Sequence, residues 1–502
     1  MSKMKSLVAV AVAAGLLLTG IAPSHAAGKT LTLGAITQPV NMSAALAESG
    51  NNVWYYQAIY DTLLHKDLDG TLRPSIATKW SYNVTNSILT LTLRKGIKFT
   101  DGTALDAKAV VANLIANRDG KGSQASLLSA ISTATAQNAT TVILELKAPD
   151  PALLEALSGT VGSLESPKLI GTPAANSDPI GSGPYILDKA NTQIGSNWSF
   201  KANPNYWDKG HRSYENFNIK FIFDATAMNN ALQSGAVQGA NLSSNNAVAT
   251  MKAAGFSMAS GYLNGVGIYF SDRMGKQVPA LADVRVRQAI NYVFDKDAMI
   301  NLMENGVGRG TSQIFPKGSK GYVAALDDYY TYDVAKAKSL MAAAGYANGF
   351  SLTMSASVGK FGAAPYAAIK AQLGLLNITV NQINPAPGTM LPGILAGKYP
   401  AYLMSFEESQ NAWTLINFII APNSIWNVDH FADATSNALL SKIQSSGNSA
   451  SGIKAQQDLN TYMVKNAWFA PFYAQQGNFA YKGIKIAAAQ AGNAIPFLYN
   501  IH

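Results

Sequence analysis

Leu93-Arg94-Lys95-Gly96-Ile97-Lys98-Phe99-Thr100-Asp101-Gly102-Thr103 closes one element of the chain and opens the next. Just before it, Leu89-Thr90-Leu91-Thr92-Leu93 alternates apolar and polar side chains, the period of a half-buried strand. Asp101-Gly102 is turn chemistry: an aspartate that bonds its own backbone, then a residue free to take positive φ. Asp106 follows, and Val110, Val111, Leu114 and Ile115 fall at helical spacing behind it. A carboxylate there can accept from the first free amides of the turn, so the segment predicts strand, turn and capped helix.

The same alternation continues outward in both directions. Leu31-Thr32-Leu33-Gly34, Thr141 to Leu146, Tyr185 to Leu187, Asn218 to Phe223, Gly267 to Phe270 and Ile378 to Val380 read as strands. Between them stand helices with their own punctuation. Asp224 opens one that runs through Leu232 and stops at Gly235, and Asp333 opens another that ends at Ala344-Gly345. Asp283 caps the clearest, with Val284, Ala289, Ile290 and Val293 on its apolar face and Arg285 and Arg287 turned away from it. Ile369 to Leu376 belongs to a further helix. Strands interleaved with helices give an α/β class. No fixed-period repeat and no low-complexity linker interrupts the chain, so domains must be joined by strand-like crossings, with a boundary expected at Leu263–Phe270.

Composition removes whole kinds of chemistry. The 502 residues, roughly two to four domains' worth, are 48% hydrophobic and only 13% charged, against ~25% in ordinary soluble proteins. There is no cysteine, so disulfides, thiol nucleophiles, thiolate-bound zinc and iron–sulfur clusters are excluded. His25, His65, His211, His430 and His502 are the only histidines and none is near another in sequence, so no metal and no cofactor is expected. The net charge of +9 comes from scattered Lys and Arg without interleaved aromatics, which argues against nucleic acid. Nucleophile elbow, phosphate-binding lysine loop and His-Glu-x-x-His are all missing. Gly306-Val307-Gly308-Arg309-Gly310 follows a helix and reads as its C-terminal cap and a loop. Glu407-Glu408 could suggest a hydrolase, yet adjacent side chains diverge in strand or helix alike. Binding is the better expectation, not catalysis.

Lys3 and Lys5 precede an apolar run from Leu7 to Leu18, a break at Gly20 and Pro23, and small residues at Ser24 and Ala26. This is the build of a secretory signal peptide, residues 1–26, cleaved after Ala26. The apolar run is shorter than the ~20 residues of a spanning helix. Its removal takes Lys3 and Lys5 and no acid, lowering the net charge to +7. Leu17-Leu18-Thr19-Gly20 approaches a lipoprotein processing site, but Ile21 stands where the acylated cysteine would be. The expectation is an exported, soluble protein, periplasmic or associated with the cell envelope and not lipid-anchored.

Several segments together resemble the extracytoplasmic solute-binding proteins of ABC importers, family 5, the peptide- and nickel-binding class. Leu93 to Thr103 is similar to the family's L-R-x-G-V-K-F-x-D-G-T signature, and Leu72 to Trp80 to its P-x-L-A-x-S-W segment. Gly181-Ser182-Gly183-Pro184-Tyr185, Asn203-Pro204-Asn205-Tyr206-Trp207, Asp283 to Ile290 and Ala342 to Tyr346 match further landmarks, in order, over about residues 30 to 500. The resemblance implies a two-lobed periplasmic binding protein fold with an inserted subdomain in the first lobe. The first lobe would be 28–265 plus 470–502, with the insertion at about 58–170, and the second 266–469. It implies a monomer that captures short peptides between its lobes and delivers them to an ABC permease with cytoplasmic ATPases. An oligosaccharide or other polar solute is the alternative ligand.

The resemblance also implies where solute sits. An acidic residue of the second lobe would hold a peptide's α-amino group, in the stretch Ser405-Phe406-Glu407-Glu408-Ser409-Gln410-Asn411-Ala412-Trp413. Here Phe406 replaces the family's tryptophan and Ser409 its aspartate, so Glu407 or Glu408 would take the role. Lys360 is the candidate for a carboxylate. Asn51 and Asn52, in the loop after the first strand, would offer uncharged donors and acceptors, and Phe406 and Trp413 flat surfaces for stacking.

Overall fold

The computed structural model describes residues 29–67, 70–356, 361–386, 389–407, 411–486 and 495–502. Among them, eleven strands join into one mixed sheet. At its centre lie the two longest, Ser257–Phe270 and Phe469–Tyr481, paired antiparallel from Ser257 opposite Tyr481 to Tyr269 opposite Phe469. Gly239–Asn241 adds to one end of this ribbon, against Phe479–Tyr481, and brings the parallel strands Thr30–Ala35 and Asn216–Phe221 behind it. Ala401–Glu407 and Gly308–Gly310 add at the other end, followed by Ser351–Ser355 and Thr379–Ile383. Each half of the sheet therefore grows from a different end of the same two strands.

The ribbon is kinked twice. Its register shifts between Tyr262 and Asn264 and again between Val266 and Gly267, where Pro471 faces Gly267. Proline has no amide to give a ladder and is tolerated at such a bulge. Gly267 is demanded by the close approach: a Cβ there would lie 2.5 Å from the Ala470 carbonyl oxygen.

Separate cores form on the two halves. Leu31, Leu33, Trp54, Tyr55, Phe217 and Phe479 pack on the first; Ile268, Ile290, Val293, Leu352, Ile369 and Phe472 pack on the second. A third core, running from Leu63 to Leu164 in sequence, lies under a separate four-stranded antiparallel sheet in the order 77–82, 88–93, 141–146, 131–138. That sheet holds the strand–turn–helix expected from sequence. Ile88–Leu93 is the strand, Gly102 takes φ +82°, and Asp106 caps Ala107–Asp119 by accepting from the Ala109 amide at 3.0 Å.

The landmark turns converge on one buried carboxylate. Asp61 is 3% exposed and accepts from Ser182 Oγ at 2.7 Å, Trp207 Nε1 at 2.9 Å and Tyr206 Oη at 3.2 Å. Arg94, from the signature segment, lies over the Trp207 ring at 4.4 Å. Gly181-Ser182-Gly183 and Asn203–Trp207 are thus joints between the inserted sheet and the first half of the main sheet. Burial, only partly offset by these donors, pushes the Asp61 pKa up to about 6.

Two local expectations change. Gly308–Gly310, read as loop, is a short strand on Tyr473–Gln475. Arg287 is buried instead of facing solvent, although its helix Val284–Val293 starts at Asp283 as expected. Its guanidinium donates to the carbonyls of Leu281, Ala282, Asn466 and Ala467. A planar group with five donors satisfies four carbonyls at once, which makes its burial favourable where apolar periodicity alone would place it outside.

Arg287→Met leaves those four carbonyls without their donor. Each unsatisfied buried polar group costs ~1–3 kcal/mol, so unfolding in denaturant should shift by ~3 kcal/mol or more; an unmoved midpoint would mean the carbonyls find other partners. For Asp61, the folded carboxyl binds a proton more tightly than the unfolded one, so its contribution to stability falls as pH rises from about 4 through about 6. The melting temperature of the wild type minus that of Asp61→Asn should accordingly decrease across pH 4.5 to 7.5. A difference that stays flat over this range would contradict the assignment.

Candidate functional site

The segment after the first strand is folded over an aromatic helix. Val53–Ile59 buries Val53, Trp54, Tyr55, Tyr56, Ala58 and Ile59, an apolar helix covered on nearly every side. Its phenols need partners when buried, and they find them on the preceding loop. Tyr55 donates to the Thr37 carbonyl at 3.1 Å, Tyr56 to Asn41 at 2.9 Å and the following Tyr60 to Met42 at 2.6 Å. Trp54 Nε1 donates to the Pro496 carbonyl at 2.7 Å, and the Leu498 amide to Gln57 at 2.9 Å, which ties the segment 495–502 to the same helix.

Beside this helix lies a cavity of about 470 Å³, the size range of small-molecule sites. Ser49, Gly50, Val53 and Tyr56 form one wall, Glu155, Ala156 and Ser158 to Val161 another, and Phe497 to Tyr499 a third. Thr414, Leu415 and Phe418 face it from the second half of the molecule. They sit where the short α-helix Ala412–Leu415 passes into the π-helical turn Ile416–Ile420, and Phe418 is partly exposed with its ring edge-on to Trp426 at 6.0 Å.

Charge on these walls is sparse and mostly committed. Asp61 is satisfied as described above. His211 shares a 2.9 Å hydrogen bond with Asp208. His65 stacks on Tyr499 at 4.6 Å and Tyr499 on Phe497 at 5.0 Å, both pairs 11° from parallel. Burial lowers the His65 pKa to about 4, so the ring is neutral near pH 7. Lys66, whose carbonyl accepts from Tyr499 Oη at 3.0 Å, pairs through Nζ with Glu155 Oε1 at 2.9 Å. Among the described residues no three acidic or histidine side chains converge as metal ligands.

The residues expected from sequence fall differently. Asn51 is half-buried in the 3₁₀ turn Gly50–Asn52, next to Ser49 and Gly50 on the cavity wall. Asn52 is 6% exposed, accepts from Thr37 Oγ1 at 2.7 Å and donates to Glu48, so its amide is engaged by the loop it stabilises. Trp413 is 7% exposed and packed in a core with Leu415, Ile419 and Trp468, while its neighbours Thr414 and Leu415 line the cavity. Phe406 and Glu407 end the strand Ala401–Glu407, opposite Gly265 and Asn264 of the central ribbon. Lys360 and Glu408 lie outside the described residues. Lys66, Glu155, Phe418 and Tyr499 were not anticipated. No motif marks them, and only the Lys-then-Glu charge complement separated by 89 positions could have hinted at the pair.

The glutathione-binding protein GsiB of Escherichia coli O1:K1 / APEC is 28% identical over 330 residues, 62% of this chain and 59% of the relative. The chain thus spans less than two thirds of the length of the curated relatives it matches. Among solved structures, the binding protein AgaA with agropinic acid, from A. tumefaciens R10, is 25% identical with a TM-score of 0.72, covering 94% of this chain and 98% of its own. HbpA2 from Haemophilus parasuis is 20% identical with a TM-score of 0.84, covering 94% and 99%. The fold is therefore that of the two-lobed periplasmic binding proteins. The sequence model for bacterial extracellular solute-binding proteins, family 5 (middle region) matches residues 71–415, well over half of the chain, and the chain belongs to that family.

Proposed function

We propose that this protein captures a short peptide, or a polar solute of similar size, in the cavity beside Val53–Ile59 and delivers it to an ABC importer. One observation carries the reading: the cavity of about 470 Å³ takes its walls from both halves of the main sheet, with Thr414, Leu415 and Phe418 facing Ser49, Gly50 and Tyr56. A ligand held between two bodies is desolvated by both and favours the form in which they approach. In this reading the lobes are 28–265 with 470–502, carrying the inserted unit at about 58–170, and 266–469. They close about the ribbon of Ser257–Phe270 and Phe469–Tyr481, and a permease senses the closed form. The family's extracellular setting agrees with residues 1–26 acting as an export signal. The glutathione-binding relative makes peptides the first solutes to try.

A hydroxyl-rich solute is the second reading, favoured by the parallel rings of Phe497, Tyr499 and His65 at the cavity wall. Calorimetric titration of the exported protein with di- to tetrapeptides and with malto-oligosaccharides separates the two. Peptide binding in the micromolar range or tighter is expected; heat from sugars alone would replace the first reading with the second. Phe418→Ala should weaken the bound peptide about tenfold, because the residue, 42% exposed and set edge-on to Trp426 at 6.0 Å, keeps open surface for solute to cover. Unchanged affinity would move the site away from this wall.

A further inference from the structure

One charge pair on the cavity wall has capacity to spare. The Lys66 ammonium has three donors and uses one, on Glu155 Oε1; the Glu155 carboxylate has a second oxygen. Neither head group has another partner among the described residues, and their side chains are 17% and 26% exposed. Every other charged group lining the cavity is occupied or neutral: Asp61 by three donors, His211 by Asp208, His65 by its lowered pKa. The pair is also held in place. Lys66 lies on the strand Leu64–Lys66, paired with Leu72–Pro74 and pinned by Tyr499 Oη, and Glu155 on the helix Leu153–Ala156.

The spacing selects a kind of solute. The two opposite charges are 2.9 Å apart. The termini of an extended tripeptide stand up to ~10 Å apart, so both cannot reach so compact a pair. A single α-amino-acid group carries its ammonium and carboxylate on one carbon and can set them against Glu155 and Lys66 together, in a ring of alternating charges with charge-assisted hydrogen bonds. We infer that Lys66 and Glu155 are a docking point for solutes bearing an intact α-amino-acid zwitterion at one end, such as γ-linked glutamyl peptides or amino-acid conjugates. The inference rests on the reading of this cavity as the capture site. Lysine suits the task because its ammonium is a point charge on a flexible stem, able to serve two carboxylates at once.

The test uses two isomers of one composition, γ-glutamyl-alanine and α-glutamyl-alanine, with trialanine as the third probe, titrated calorimetrically into the wild type, Lys66→Met and Glu155→Gln. The wild type should bind the γ isomer at least about tenfold tighter than the α isomer. Each variant should reduce that preference to within about threefold. Where a neutral variant does not melt cooperatively, Glu155→Asp, which keeps the charge and withdraws it by one methylene, must show the same loss of preference. Equal binding of the isomers by the wild type, or a preference that survives the substitutions, overturns the inference. Trialanine binding without either glutamyl dipeptide overturns it while the capture reading stands. No heat from any of the three overturns both.

Discussion

The pairing of Ser257–Phe270 with Phe469–Tyr481 is the constraint on which the rest of the molecule depends. Among the described residues, every strand of the first half reaches the second only through these two, because Gly239–Asn241 attaches at one end and Ala401–Glu407 with Gly308–Gly310 at the other. A ladder of backbone hydrogen bonds resists shear along the strands but yields to twist and bend, most readily where the register is already broken. The breaks occur at Leu263 and around Pro471–Phe472, at the point where the flanking strands change. The positions at which the ribbon is weakest are thus the positions at which the two halves part.

Side chains reinforce that point without locking it. Glu304, at the end of the helix Lys296–Glu304, accepts from Gln475 Nε2 at 2.7 Å and from Tyr473 Oη and Asn245 Nδ2 at 3.1 Å. Asn245 stands on the first half, Gln475 and Tyr473 on the ribbon, and Glu304 on the second half. A carboxylate shared among three neutral donors can exchange one for water at the modest net cost of a hydrogen bond, about 1 kcal/mol. Burial raises the pKa of Glu304 against the pull of these donors. The network therefore fixes a resting relation between the halves while leaving it adjustable.

What the sequence made legible was local. Strict alternation at Leu89–Leu93 and the caps at Asp106, Asp224, Asp283 and Asp333 depend on neighbours within a turn or two, and each appears where the pattern puts it. Arg287 broke the pattern because its partners include Asn466 and Ala467, about 180 residues away in sequence. The site was less legible for the same reason. Asn52 has the composition of a binding residue, but Thr37 and Glu48 claim its amide. Lys66 and Glu155 face the cavity only because the insertion folds a strand and a helix from distant stretches against each other.

Arg94, Ser182, Tyr206 and Trp207 lie in the most recognisable segments, and all of them are spent on one joint around Asp61. A joint tolerates little variation, since a buried carboxylate deprived of a donor destabilises the fold directly. A cavity wall is under no such restriction, because in the proposed reading exchanging Lys66, Glu155 or Phe418 would alter what is held without disturbing a core. Residues that identify the family are for that reason poor guides to its solute, and residues that choose the solute leave little mark in a motif. The framework segments and the cavity wall answer different questions, the first about how two lobes are joined and the second about the charge and shape of the molecule between them.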